Sequence, residues 1–132
     1  MKILVSICRV LLGLAFCVFG ANILHPFLPM PPMPPDSLPA KFMVVMGPTH
    51  YMAMIGAFQL LGGLCVLTGG LAPIGLVLLG PVLVNILAFH VLLEGGTGVG
   101  MGLFFSALEI FLIYSYRSYF VPIFTVRARI EK

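Results

Sequence analysis

Apolar positions along this chain run together in blocks rather than alternating with polar ones. Four blocks can be marked off, at residues 3–24, 48–68, 73–93 and 99–119. A helix needs about 20 predominantly apolar residues to cross the hydrocarbon core of a bilayer, and each block has that length. Breakers bound them: "HPFLPMPPMPP" at 25–35, "GGLAP" at 69–73 and "EGGTG" at 94–98. A backbone in lipid must satisfy its own hydrogen bonds, so a spanning segment that is not part of a closed barrel is a helix. The pattern predicts an all-α polytopic membrane protein, a single four-transmembrane-helix bundle over residues 1–132. Residues 25–47 then form a long loop. Its "PFLPMPPMPPDSLP" is too rich in proline for helix or sheet and favours extended polyproline geometry. With Phe27, Leu28, Met30 and Met33 it reads as an apolar strap across the helix ends, or as a lid or docking surface.

Composition agrees. The chain is 61% hydrophobic and 8% charged, where a soluble domain carries about 25% charged residues, so it cannot cover a water-facing surface. A scattered net charge of +3 without a Lys/Arg run gives no nucleic-acid footprint. Cys8, Cys17 and Cys65 fall in apolar stretches without a CxxC and read as small buried hydrophobes. Lys2 and "ILVSIC" begin like a signal peptide, but Arg9 interrupts the apolar run, and "LAFC" at 14–17 carries bulky Phe16 where a lipoprotein cleavage box needs a small residue. The first block is expected to be a retained span.

Lys and Arg set the expected direction of crossing. Lys2, Arg117, Arg127, Arg129 and Lys132 fall on the side of both termini, and Lys41 alone on the other. This predicts a multi-pass protein of the cell membrane with cytoplasmic N and C termini and the 25–47 and 94–98 loops outside. Tyr114, Tyr116 and Tyr119 fit an interfacial belt at the inner end of the fourth span.

The polar residues inside these blocks are the candidate chemistry, because ionisable groups in lipid are costly and face a bundle interior. At about 100° per residue, Arg9, Gly13, Phe16 and Gly20 share a face of the first helix, and Met52, Gly56, Gln59 and Gly63 a face of the second. On the fourth, Gly98, Gly102, Glu109, Ile113 and Tyr116 share a stripe. Small-residue faces allow close helix approach. Gln59, Asn85 and Glu109 lie near mid-membrane, with Arg9 nearer the cytoplasmic side, within reach of Glu109. Arg9, Gln59, Asn85 and Glu109 are therefore expected to form a polar core, with an Arg9–Glu109 pair bridged by amides. Its two readings are structural glue and a pocket for a quinone head, a proton or a small solute. Alternatively Arg9 snorkels to the inner headgroups. Pro81 leaves the Val77 carbonyl without its usual donor.

A second group lies at the outer rim: Asn22, His25, His50, His90 and Glu94, the last two four apart on one helix face. No HxxxH-type local motif ties the histidines into a metal site. An imidazole there can exchange protons near physiological pH. Asn85 and His90 differ by about 140° on a regular helix, so they are expected to serve different layers, Asn85 the mid-membrane amides and His90 the rim.

"RVLLGLAFCVFGANIL", "PMPPMP", "GAFQLLGGLCVLTG" and "APIGLVLLGPVLVNILAFH", in that order, resemble the DoxX family of small four-helix membrane proteins. The resemblance runs from Arg9 to about Tyr116 and rests on the ordered set of stretches. The family often has Glu where this chain has Gln59. It implies association with redox chemistry: a membrane subunit beside soluble or membrane oxidoreductase partners, with quinone as the implied cofactor. The chain has no haem motif, iron–sulfur spacing or nucleotide fingerprint. Multi-electron chemistry then requires a partner or a diffusible quinone, and the chain is expected not to be an enzyme on its own. The competing classes are a small-solute or proton transporter and a ligand-free anchor or assembly factor. A transporter usually carries an internal repeat with paired broken helices, and here only the third block has an internal proline. The bilayer is the first expected partner, and a homo-oligomer is open.

Overall fold

The computed structural model describes residues 1–124 and 130. Arg127, Arg129 and Lys132, counted above on the basic side, lie outside the described residues. Among the described residues every regular element is helical.

Helix α1, Lys2–Leu24, is closed by the His25 N–H donating to the Ala21 carbonyl at 2.8 Å. The Asn22 carboxamide oxygen then accepts from the N–H groups of Phe27 and Leu28, at 2.9 and 2.7 Å, and turns the chain into the strap. The strap is not a loop throughout. Its second half forms α2, Leu38–Met46, against the expectation that proline excludes helix from this segment. The physical reason is position. Ser37 caps the helix by accepting from the Ala40 N–H at 3.3 Å, and Pro39 falls in the first turn, where a missing N–H costs nothing.

Helix α3 is Tyr51–Thr68, and α4 is Ala72–Ala88, continuing into a π-helical turn at Phe89–Leu93. Helix α5, Val99–Ser115, stops short of the expected 119. The chain breaks at Tyr116 into α6, Arg117–Phe120, and a 3₁₀ turn, Val121–Phe124, bent by 77° from α5. Three helices, Lys2–Leu24, Tyr51–Thr68 and Ala72–Leu93, are long and apolar enough to cross a membrane, and a fourth qualifies if the bent pair is one span.

Glycine sets the packing. α1 and α3 run antiparallel with backbones in contact. A Cβ on Gly13 would meet the Leu67 nitrogen at 2.7 Å, and one on Gly63 the Cys17 nitrogen at 2.7 Å. Farther along the same seam, a Cβ on Gly20 would meet the Leu60 nitrogen at 2.5 Å. Gly62 and Gly75 do the same for α3 against α4, where a Cβ on Gly75 would lie 2.7 Å from the Gly62 oxygen. α5 closes the bundle against α4, and against α1 through Phe105, whose ring lies edge-on to Phe16 and Phe19 at 5.8 and 5.7 Å. Between the two ends lies a layer of Leu12, Phe16, Val66, Leu76, Leu79 and Leu112, all fully buried. Large apolar side chains such as Val84, Leu103 and Ile110 face outward, as a lipid solvent requires.

Candidate functional site

At the strap end of the bundle, a cavity of about 310 Å³ lies between α3, α4, the strap and α2. Its walls are rich in methionine: Met30 and Met33 from the strap, Met43 and Met46 from α2, and Met52 from α3. Phe42 of α2 closes it by packing edge-on to Phe89 at 5.5 Å. Methionine is flexible and polarizable, and such walls adapt to an apolar guest. Gln59, Asn85, His90 and Tyr51 add polar atoms to this lining.

Each of these polar groups is placed by a local cause. Gln59 sits on the glycine face of α3 and is only 4% exposed, and its Oε1 has no hydrogen-bond partner. An unpartnered buried carbonyl costs roughly 1–3 kcal/mol; this oxygen is closed off from solvent, so a donor in the cavity reaches it only when the side chain turns. Asn85 is exposed to the cleft, and its amide donates to the Pro81 carbonyl at 3.0 Å. His90 is held from behind, with Nδ1 2.5 Å from a Glu94 carboxylate oxygen. In the ordinary arrangement the ring donates from Nδ1 and leaves Nε2 as an acceptor. Gly98 makes room for this pair, since a Cβ there would meet His90 Nδ1 at 3.0 Å. His90 also borders a second cleft of about 480 Å³, shared with Met30, Met33 and Phe89 and reaching Glu94 and Thr97.

The structure divides the expected polar core. Gln59 and Asn85 share the strap-end cavity, although Asn85 bonds to its own helix rather than to Gln59. Glu109 is buried, at 4% exposure, but lies against α4, with Oε1 3.3 Å from where a Gly80 Cβ would be. That oxygen has no partner. The expected Arg9–Glu109 pair is absent. His90–Glu94 is the one ion pair among the described residues, and Arg9 lies at the other end of the bundle against Gly69, the C-cap of α3. The negative end of a helix dipole attracts that guanidinium, and the left-handed Gly69, φ +86°, leaves it the room.

The outer-rim group is divided too. His90 and Glu94 line one cleft together with the strap residues Met30 and Met33. Asn22 is used up in the turn after α1. His25 and His50 are exposed caps at the ends of α1 and α3. No group of three or more His, Cys, Asp or Glu among the described residues could hold a metal ion. The sequence reading missed Tyr51 and the α2 contribution, Phe42, Met43 and Met46. The available signal was Ser37 followed by proline in a first helical turn.

Several apolar helices of spanning length with an apolar exterior define a helical membrane protein with a partly polar cleft at one end. Comparison of the chain with protein-family models, curated proteins and solved structures returns no match.

Proposed function

We propose that the chain is a four-span protein of the cell membrane, termini cytoplasmic, that seats a quinone-class ring in the strap-end cleft as the membrane subunit of a redox assembly. The observation that carries this reading is one cavity joining methionine walls to the unpartnered Gln59 carbonyl, the Asn85 amide and the carboxylate-backed His90. A quinol offers a flat apolar ring with a hydroxyl at each end. One hydroxyl would donate to Gln59 Oε1, with that side chain turned into the cleft, and the other to His90 Nε2. Glu94 would stabilise the imidazolium that forms when His90 accepts the proton. The two electrons would be exchanged with a partner subunit and the second proton with water at the cleft mouth, in keeping with the redox association that the DoxX resemblance implies. The transport alternative ranks lower, because the buried layer from Leu12 to Leu112 favours a site open at one end over a through-path.

The test is binding of a short-chain quinol, kept reduced, to the purified protein in nanodiscs, read by native mass spectrometry and thermal protection. Gln59→Leu and His90→Leu should each weaken binding roughly tenfold, the worth of one hydrogen bond to a buried site, without lowering the ligand-free melting temperature. Quinol binding that is absent in the parent protein, or unchanged in both variants, overturns the reading.

A further inference from the structure

The opposite end of the bundle carries a second cavity, of about 390 Å³, between the start of α1 and the α5–α6 break. Three cations line it, Lys2, Arg9 and Arg117, and no Asp or Glu among the described residues does. Like charges sharing a small space repel one another, so the arrangement is mismatched unless an anion joins it. Each arginine is held in place. Arg9 rests against Gly69 with its Nε buried and without a partner. The Arg117 guanidinium lies over the Tyr114 ring, 4.8 Å from its centroid, and donates to the Tyr114 carbonyl at 3.1 Å. The 77° bend falls at Tyr116, immediately before Arg117.

The surroundings define the kind of anion. A shallow apolar groove runs along the exposed face of α1, past Ile3, Ile7, Val10 and Leu11, and Lys2 and Ser6 line both this groove and the cavity. A ligand with a charged head and a hydrocarbon tail fits that continuity. Free phosphate would use only the head. Tyr119, Val121, Ile123 and Phe124 add exposed apolar side chains beyond the bend, and aromatic side chains are favoured where lipid headgroups begin.

We propose that this cavity binds the phosphate of an anionic phospholipid, with Arg9 and Arg117 as the fixed donors, Lys2 as the mobile one, and an acyl chain along α1. Basic pockets between spanning helices are a recurrent form of lipid-headgroup site, and arginine binds phosphate with charge-assisted, paired hydrogen bonds. The site is independent of the quinone reading, uses none of its residues and lies at the other end of the molecule.

The test compares nanodiscs of phosphatidylglycerol with nanodiscs of phosphatidylcholine, with inorganic phosphate added to the latter as a third arm. Phosphatidylglycerol should raise the melting temperature above the value in phosphatidylcholine and remain bound in native mass spectra. Inorganic phosphate should do neither. Lys2→Gln with Arg117→Gln changes only exposed side chains. This double variant should keep the melting temperature in phosphatidylcholine and lose the phosphatidylglycerol effect, with retention roughly tenfold lower for each cation removed. Arg9→Gln tests the third donor in the same way. An equal melting temperature in the two lipids, or an effect that survives the double variant, overturns the proposal. An equal effect from inorganic phosphate overturns the lipid as its source.

Discussion

Asn85 and His90, five residues apart on one helix, line the same cleft. A regular helix would set them about 140° apart. The chain widens just there. From Phe89 to Leu93 the helix takes the π form, and the Glu94 N–H reaches back five residues to the Phe89 carbonyl at 3.2 Å. A π-turn rotates less per residue than an α-turn, so His90 lags toward the Asn85 side, and a broad cleft reaches both. Single π-turns inside α-helices are often found at functional sites. His90 thus lines both the cleft of Asn85 and the rim cleft of Glu94.

The glycine seam between α1 and α3 should be the most sensitive surface to small changes. Gly20→Ala places a methyl group 2.5 Å from the Leu60 nitrogen and 2.7 Å from the Gly56 oxygen, both backbone atoms. Overpacking of this kind costs roughly 1–3 kcal/mol. Gly100→Ala meets nothing within 4 Å and should be neutral, or stabilising by up to about 1 kcal/mol. Unfolding of the two variants in detergent checks the contrast, and matching stabilities would show that the seam is not close-packed.

Glu109 should be dispensable for folding. It is buried and its Oε1 is unpartnered, so Glu109→Leu removes a desolvated group without orphaning another. Stability should stay level or rise. Breaking a buried ion pair instead costs about 3–5 kcal/mol, and a loss of that size on unfolding would reveal a partner for the carboxylate.

Cysteines introduced singly at Ser37 and Ser118, with Cys8, Cys17 and Cys65 replaced by alanine, should differ toward an impermeant maleimide, Ser37 labelling in intact cells and Ser118 only after permeabilisation. Ser37 should be reached from outside. Both reached from the same side would end the four-span topology, because the α5–α6 pair would then not cross.

The residues that the sequence made legible are those governed by local physics. Block length marks the spanning helices, and the 3.6-residue repeat puts Gly13, Phe16 and Gly20 on one face and Gly56, Gln59 and Gly63 on another, all of them buried. Helix rotation against a neighbour is not local. Glu109 and Arg9 have compatible depths, but α5 turns Glu109 toward Gly80 while the end of α3 draws Arg9 away. The π-turn was hidden for the same reason, since the residues 89–93 are as apolar as those of any regular helix. α2 was readable from Ser37 and Pro39 once proline is judged by its position in a turn and not by its frequency.

Backbones that touch through glycine leave no side chains to repack, so α1 and α3 act as one stiff bar through the depth of the molecule. A bar cannot breathe. On the proposed reading, further room for a guest at the strap end would come from the segment 26–46, which leaves α1 through a turn held by Asn22 and rests on Phe89 through Phe42. Entry would then be a door movement, with its hinge at Asn22 and its latch at the Phe42–Phe89 contact.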